Sequence, residues 1–324
     1  MHTQIHGPMK IFGGNSVPNL AAGIAQRLGV PLGLSTVTRF SDGETSVSIN
    51  ETVRGCDVFV IQSTQTPTND HLMELLIMLD AFKRASAGRI NVVIPYYGYA
   101  RQDRKVKSRD PITAKLVADL LTTAGADRVI TMDLHSDQIQ GYFNIPLDNL
   151  LGAPILLNYL LDKGVGDAGD VVMVSPDIGA VTRTRRFAER LNVPIAIIDK
   201  RRPKANVSEI MNIIGDVKDK RCILVDDMID TGGTIANAAF ALKDHGAKEV
   251  YACASHAVLS GDACDKLEQA PINRVILLDS IPLSPQKQRS NIRVLSCVDL
   301  FSEAIRRIHE NEPLSSLFVK VDHK

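Results

Sequence analysis

Residues 223–234, ILVDDMIDTGGT, constrain the fold more than any other stretch of this chain. An apolar run meets two adjacent acids, Asp226 and Asp227. Asp230 follows, and then Thr231, Gly232, Gly233 and Thr234. The apolar run reads as a strand over 221–225, the glycines as a turn, and 234–245 as an amphipathic helix. A strand that turns tightly into a helix is the unit from which α/β sheets are built.

The same alternation recurs along the chain. Strands are expected at 57–62, 90–94, 128–132, 170–174, 194–198, 221–225, 248–254 and 274–278. Helices are expected at 18–28, 70–86, 111–124, 180–191, 234–245 and 297–309. Such order predicts an α/β protein with mostly parallel sheets flanked by helices. FVIQS, TPTND, a helix and AGRINVV echo ILVDD, TGGT, a helix and GAKEVYA. That echo points to two similar domains, 1–150 and 151–302, the first completed by the C-terminal segment 303–324. A length of 324 residues fits two domains of about 150 residues each. Gly164, Gly166 and Gly169 match GxGxxG, but they follow a helix and precede a strand, the reverse of the dinucleotide-binding order.

Composition excludes several classes. Lys+Arg and Asp+Glu stand at 37 each, which gives no support to a general nucleic-acid or membrane-surface role. The five cysteines form no CxxC pair and read as reduced thiols of a cytoplasmic protein. MHTQIHGPMK has no apolar core of a secretory signal, and no apolar run reaches the roughly 18 residues of a membrane span.

The opening stretch mixes two chemistries. Gly232 and Gly233 let backbone N–H groups approach an anion, Thr231 and Thr234 add hydroxyl donors, and the helix N-terminus favours negative charge. Carboxylates would repel that anion, yet they accept well from sugar hydroxyls. One ligand with hydroxyls at one end and phosphate at the other satisfies both, and ribose 5-phosphate has that shape. Three more polar segments read as functional loops: 39–46 (RFSDGETS), 95–110 (PYYGYARQDRKVKSRD) and 199–208 (DKRRPKANVS). The last two follow apolar strands, where an open sheet presents its C-terminal edge to ligands. Tyr96, Tyr97 and Tyr99 beside Arg101 and Arg104 could stack on a base and bind phosphate. Asp133-Leu-His135 and Ser175-Pro-Asp177 each end a strand, and His135 with Asp177 could share a divalent cation with a nucleotide. Lys200, Arg201 and Arg202 could meet charge on a transferring phosphoryl group.

Together these blocks resemble the ribose-phosphate pyrophosphokinase (PRPP synthetase) family, in its class I, phosphate-dependent form. The resemblance runs through FSDGE, NDHLMELL, YARQDRK, PITAKLVADLL, DLHSDQIQGYF, VSPD, DKRRPKANVSE, VDDMIDTGGT and EAIRR. It implies two domains of the type I phosphoribosyltransferase fold, with transfer of diphosphate from Mg-ATP to ribose 5-phosphate. The implied products are PRPP and AMP, for nucleotide, histidine and tryptophan biosynthesis. By resemblance, Lys200 and Arg202 are catalytic cations, and His135 and Asp177 hold the metal–nucleotide complex. Arg101, Gln102 and Arg109 contact ATP, with Phe40, Asp42 and Glu44 on a flag that reaches the adenine of a neighbouring subunit. Asp226, Asp227, Asp230, Thr231, Gly232, Gly233 and Thr234 hold ribose 5-phosphate. The resemblance also implies a homo-oligomer, a hexamer, activated by inorganic phosphate and inhibited by ADP. The regulatory residues would be Arg54, Ser86, Gln140, Asp148, Asn149 and Ser315. Pro313 and Val106 stand where some relatives carry a serine and an acid.

Two rival readings share part of the pattern. A phosphoribosyltransferase uses the same sugar-phosphate loop but does not need the basic lid at 199–204 together with DLH and RFSDGE. A non-catalytic homologue would have lost His135, Lys200, Arg202 or the TGGT loop, and all are present.

Overall fold

The computed structural model describes residues 6–164, 169–201 and 210–318; beside the gaps, for Lys200 among others, the backbone alone is described. The described residues form two compact units. One comprises 6–151, 280–282 and 296–318, and the other the described parts of 152–279 and 283–295.

The first unit begins with β1 (Met9–Gly13), α1 (Pro18–Leu28), β2 (Ser35–Arg39), β3 (Thr45–Ile49), β4 (Asp57–Ile61) and α2 (Thr68–Arg84). There follow β5 (Arg89–Ile94), α3 (Thr113–Ala124), β6 (Arg128–Met132) and β7 (Leu147–Leu150). The strands β1-β4-β5-β6-β7 lie in that order, all parallel. Every residue of β4 is buried, as expected of a parallel strand covered on both faces. Phe12 on β1 meets Phe82 on α2, ring centroids 4.7 Å apart, within a core that also holds Leu75, Met78 and Leu79.

The 39–46 segment is the loop of a hairpin together with the strand residues that flank it. β2 and β3 pair antiparallel from Ser35↔Ile49 to Arg39↔Thr45, leaving Phe40–Glu44 as the tip of a hairpin. Its inward residues Val37, Val47 and Ile49 pack on the core of the unit. The alternation T-V-T and S-V-S-I was the period-2 signal for these strands.

The second unit runs through α4 (Ala153–Asp162), β8 (Val171–Ser175), α5 (Val181–Leu191), β9 (Ile195–Arg201), β10 (Ile210–Ile214) and β11 (Arg221–Ile229). It continues with α6 (Gly233–Asp244), β12 (Glu249–Ala257), α7 (Ala263–Gln269), β13 (Arg274–Leu278) and β14 (Ile292–Leu295). The last α-helix among the described residues, α8 (Val298–Glu310), belongs to the first unit and packs on α1. The second sheet has the order β10-β9-β8-β11-β12-β13-β14, with only β10 antiparallel among the described strands.

The sequence echo has a structural counterpart. β4-α2-β5 and β11-α6-β12 occupy the same positions in the two five-strand series β1-β4-β5-β6-β7 and β8-β11-β12-β13-β14. Two similar, mostly parallel α/β sheets are therefore present, as the alternation predicted. β11 is longer than expected, because β12 continues to pair with it through Met228↔His256 and Ile229↔Ala257. Asp226 and Asp227 thus lie within the strand. Among the described residues, no helix is long and apolar enough to cross a membrane.

Candidate active site

The C-terminal end of β11 leads through Asp230, Thr231 and Gly232 into α6. Gly232 has φ 75°, a left-handed conformation natural to glycine, and a Cβ there would stand 3.0 Å from the Ala263 carbonyl oxygen. A Cβ on Gly233 would meet nothing within 4 Å, so that side of the turn is open. Thr231 and Thr234 are exposed. The turn therefore offers backbone N–H groups, hydroxyls and the positive end of α6 to an anion.

Next to it stands the acid pair. Asp227 is buried and Asp226 half-buried. Burial first, and then the charge of Asp227, push the Asp226 carboxyl up to about 8. The Asp227 N–H donates to Asp226 Oδ1 at 2.9 Å. Arg183, in the first turn of α5, donates from Nη1 to Asp226 Oδ1 at 3.3 Å and to Asp227 Oδ1 at 3.0 Å. Sequence reasoning missed Arg183. It is one of several arginines on α5, and nothing in their spacing marks the one that faces β11.

In the first unit, the hairpin tip carries Phe40, Asp42 and Glu44. Phe40 is 58% exposed, a large ring presented to solvent. The turn is closed by Phe40 N–H to Glu44 O at 2.8 Å, while Asp42 Oδ1 accepts from Glu44 N–H at 3.2 Å. The hairpin is braced from α2. Arg39 Nη2 donates to Asp70 Oδ2 at 2.6 Å, and Asn15 Nδ2 donates to Val37 O at 3.2 Å. Asn15 is itself held by Glu74, which accepts from the Asn15 N–H at 2.7 Å and from Asn15 Nδ2 at 2.9 Å.

Beyond β5 a cavity of about 430 Å³ is lined by Thr68, Asn69, Tyr96, Gly98, Tyr99, Arg101 and Gln102. Arg101 and Gln102 are therefore brought together in one concave site. Gln102 O accepts from Ala114 N–H at 3.2 Å, which ties this loop to α3. Arg109, with φ 72°, lies further along the same segment and does not line the cavity. The expectation that all three tyrosines could stack on a base fails for Tyr97. It is 2% exposed, and its hydroxyl donates into the core to Ala114 O at 2.9 Å.

His135 is exposed beyond the end of β6, after Asp133 with φ 42°. Asp177 follows β8, and its Oδ1 accepts from Ala180 N–H at 3.0 Å, fixing the start of α5. Among the described residues, no group of three or more His, Cys, Asp or Glu could hold a metal ion. His135 offers an imidazole nitrogen and Asp177 a carboxylate oxygen, each a donor that Mg²⁺ carried on nucleotide phosphates can take. Lys200 lies in β9, whose strand runs further than the expected 194–198. Arg202 lies outside the described residues. All five cysteines are buried, and burial raises the Cys253 thiol to about 12, far from a nucleophilic thiolate.

Arg54 forms an antiparallel β-bridge with Ala87, and the neighbouring Gly55 N–H donates to Ser86 O at 2.8 Å. Asp148 and Asn149 are neighbours on β7, Asp148 paired with Arg128 and Asn149 Oδ1 accepting from Leu134 N–H at 3.2 Å. Gln140 sits in the turn Asp137–Tyr142 and Ser315 in the turn Ser315–Phe318.

Residues 9–125 match the family described as the N-terminal domain of ribose phosphate pyrophosphokinase. Residues 200–319 match the phosphoribosyl synthetase-associated domain. The chain is 67% identical over 310 residues to ribose-phosphate pyrophosphokinase of Clostridium perfringens, covering 96% of this chain and 97% of that protein. It is 57% identical to the Bacillus cereus protein of the same name, covering 98% and 100%. The crystal structure of phosphoribosylpyrophosphate synthetase from Mycobacterium smegmatis superposes with a TM-score of 0.89 at 45% identity, covering 94% of this chain and 99% of that one.

Proposed function

The chain belongs to the ribose-phosphate pyrophosphokinase family, and on that premise we propose that it transfers the β,γ-diphosphate of Mg-ATP to the anomeric hydroxyl of D-ribose 5-phosphate. The products are 5-phospho-α-D-ribose 1-diphosphate and AMP. The observation that carries this reading is the run of β11 into α6. Two carboxylates lie in the strand, one loop-length from an open, glycine-capped helix N-terminus. Asp226 and Asp227 would accept from the sugar hydroxyls. Asp230, Thr231, Gly232, Gly233 and Thr234 would receive the 5-phosphate.

The anomeric oxygen then attacks the β-phosphorus. The bond from that phosphorus to the α–β bridging oxygen breaks, AMP leaves with that oxygen, and the anomeric proton is released. Such a reaction needs alignment and charge neutralisation rather than a covalent intermediate. His135 and Asp177 are assigned to the metal–nucleotide complex, and Mg²⁺ when bound would neutralise the transferring diphosphate. Lys200 and Arg202 are assigned as cations that stabilise charge developing in transfer. Arg101, Gln102 and Arg109 would hold the nucleotide, the first two from the cavity they line. Phe40, Asp42 and Glu44 would reach the adenine of a neighbouring copy in a homo-oligomer, a hexamer. Activation by inorganic phosphate and inhibition by ADP are assigned to Arg54, Ser86, Gln140, Asp148, Asn149 and Ser315, in a cytoplasmic enzyme with no nucleic-acid or membrane partner.

The test is release of AMP from ATP and ribose 5-phosphate with no nucleobase supplied. Steady AMP formation is expected. No AMP from these two, beside diphosphate release when PRPP and a nucleobase are supplied, would instead support a phosphoribosyltransferase.

A further inference from the structure

Asp226 and Asp227 are consecutive residues of a strand, and consecutive strand side chains point to opposite faces of the sheet. Both nevertheless converge on one nitrogen, Arg183 Nη1, with Asp227 at 3.0 Å and Asp226 at 3.3 Å. Asp226 is also turned back onto the Asp227 N–H. Arg183 is fixed by its place in the first turn of α5, a helix that packs on β8, β9 and β11. That turn is anchored at Asp177 through Ala180 N–H, and Thr184 Oγ1 donates to Ala180 O at 3.0 Å.

We propose that Arg183 is a positioning residue of the sugar site, whose guanidinium holds Asp226 and Asp227 together as one preset partner for two vicinal hydroxyls. This inference rests on the reading that the two acids hold ribose 5-phosphate. The charges agree with the geometry. Two carboxylates side by side, one buried and one half-buried, would be costly without a cation. Burial and Asp227 push Asp226 up, and Arg183 opposes that push. Asp226 therefore keeps its proton to higher pH than a free carboxyl, beside the charge of Asp227 and one guanidinium. Such a pair both donates and accepts, which suits hydroxyls that do the same. The charged groups bearing on Asp226 are Asp227 on β11 and Arg183 on α5; β12 brings His256 opposite Met228, and the first turn of α6 carries no acid.

The experiment compares R183Q, R183K and D227N by calorimetric binding of ribose 5-phosphate and by the pH dependence of kcat/KM for that sugar. Thermal melts check that each variant folds. R183Q is expected to weaken ribose 5-phosphate at least about tenfold, the loss of a charge-assisted hydrogen bond, and to leave the KM for ATP unchanged. Its alkaline limb should move to higher pH, because Asp226 loses the cation that favours ionisation. R183K should return the limb toward that of the parent enzyme. R183Q with unaltered sugar binding and an unaltered limb, beside a D227N that binds poorly, would overturn the role of Arg183 alone. D227N that binds ribose 5-phosphate normally would overturn the sugar reading of the acid pair and the role of Arg183 with it.

Discussion

His309 Nδ1 lies 2.8 Å from Asp57 Oδ2, a bond that spans 252 residues of sequence and fastens α8 to the buried start of β4. The same carboxylate accepts from Arg89 Nε at 2.7 Å, Arg89 Nη2 at 2.6 Å and Asn91 Nδ2 at 2.8 Å. Burial works to raise the Asp57 carboxyl, but these donors outweigh it and hold the group below its ordinary 3.8. Asp57→Ala should cost about 3–5 kcal/mol, because it leaves Arg89 without its buried partner. His309→Ala should cost about 1–2 kcal/mol. A depressed carboxyl adds stability above its unfolded value and loses it as pH falls through the folded one. Urea denaturation should therefore show the Asp57→Ala deficit constant at neutral pH and shrinking below about pH 4.

The hairpin that carries Phe40 is braced by carboxylates one helical turn apart on α2, Asp70 and Glu74. Asn15→Ala should cut the link from Glu74 to Val37 O. Hydrogen exchange of 35–49 should then rise, and KM for ATP should increase severalfold while KM for ribose 5-phosphate stays fixed. Unchanged exchange in 35–49 would remove Asn15 from the support of the hairpin.

Gly232 and Gly233 should separate by substitution. Gly232→Ala forces a side chain into a left-handed backbone and toward Ala263 O, at a cost of about 1–2 kcal/mol. Gly233→Ala begins a helix in open space and should leave the melting temperature level or slightly raised. Both should weaken ribose 5-phosphate, since each narrows the approach of a phosphate to the turn. Melting curves alongside sugar binding check the pair.

Asp226 supplies the opposite pH signature to Asp57. Its carboxyl is raised from 3.8 to about 8, so the folded chain holds a proton that the unfolded chain has lost. Stability associated with this group falls as pH rises through that interval. Asp226→Asn should melt progressively higher than the parent as pH goes from 4 toward 8, with no further gain above. A constant difference across that range would contradict the raised carboxyl of Asp226.

Much of the fold was legible because parallel strands are short apolar runs and the helices between them are amphipathic. α2, α3, α5, α6 and α8 begin and end within two residues of where periodicity placed them. β1, β2, β3, β7, β10 and β14 were not read as strands, nor α4 and α7 as helices: all are short, polar residues dominate β2 and β3, and β10 abuts a basic stretch. The β11 acids were read as a strand end because the sequence of β11 does not reveal how far β12 will pair with it. Single side-chain partners were the least legible. Nothing local distinguishes Arg183 from Arg185 and Arg186, or tells that Glu74 is buried against Asn15. Those choices depend on tertiary approach, which periodicity does not encode.

The central claim is transfer of an intact diphosphate, and ATP labelled at the γ-phosphorus tests it most directly. Incubated with Mg²⁺, ribose 5-phosphate and the enzyme, the label should appear in the sugar product, with unlabelled AMP as the nucleotide left behind. ADP as the nucleotide product, or label released as inorganic phosphate while the sugar stays unlabelled, would contradict it.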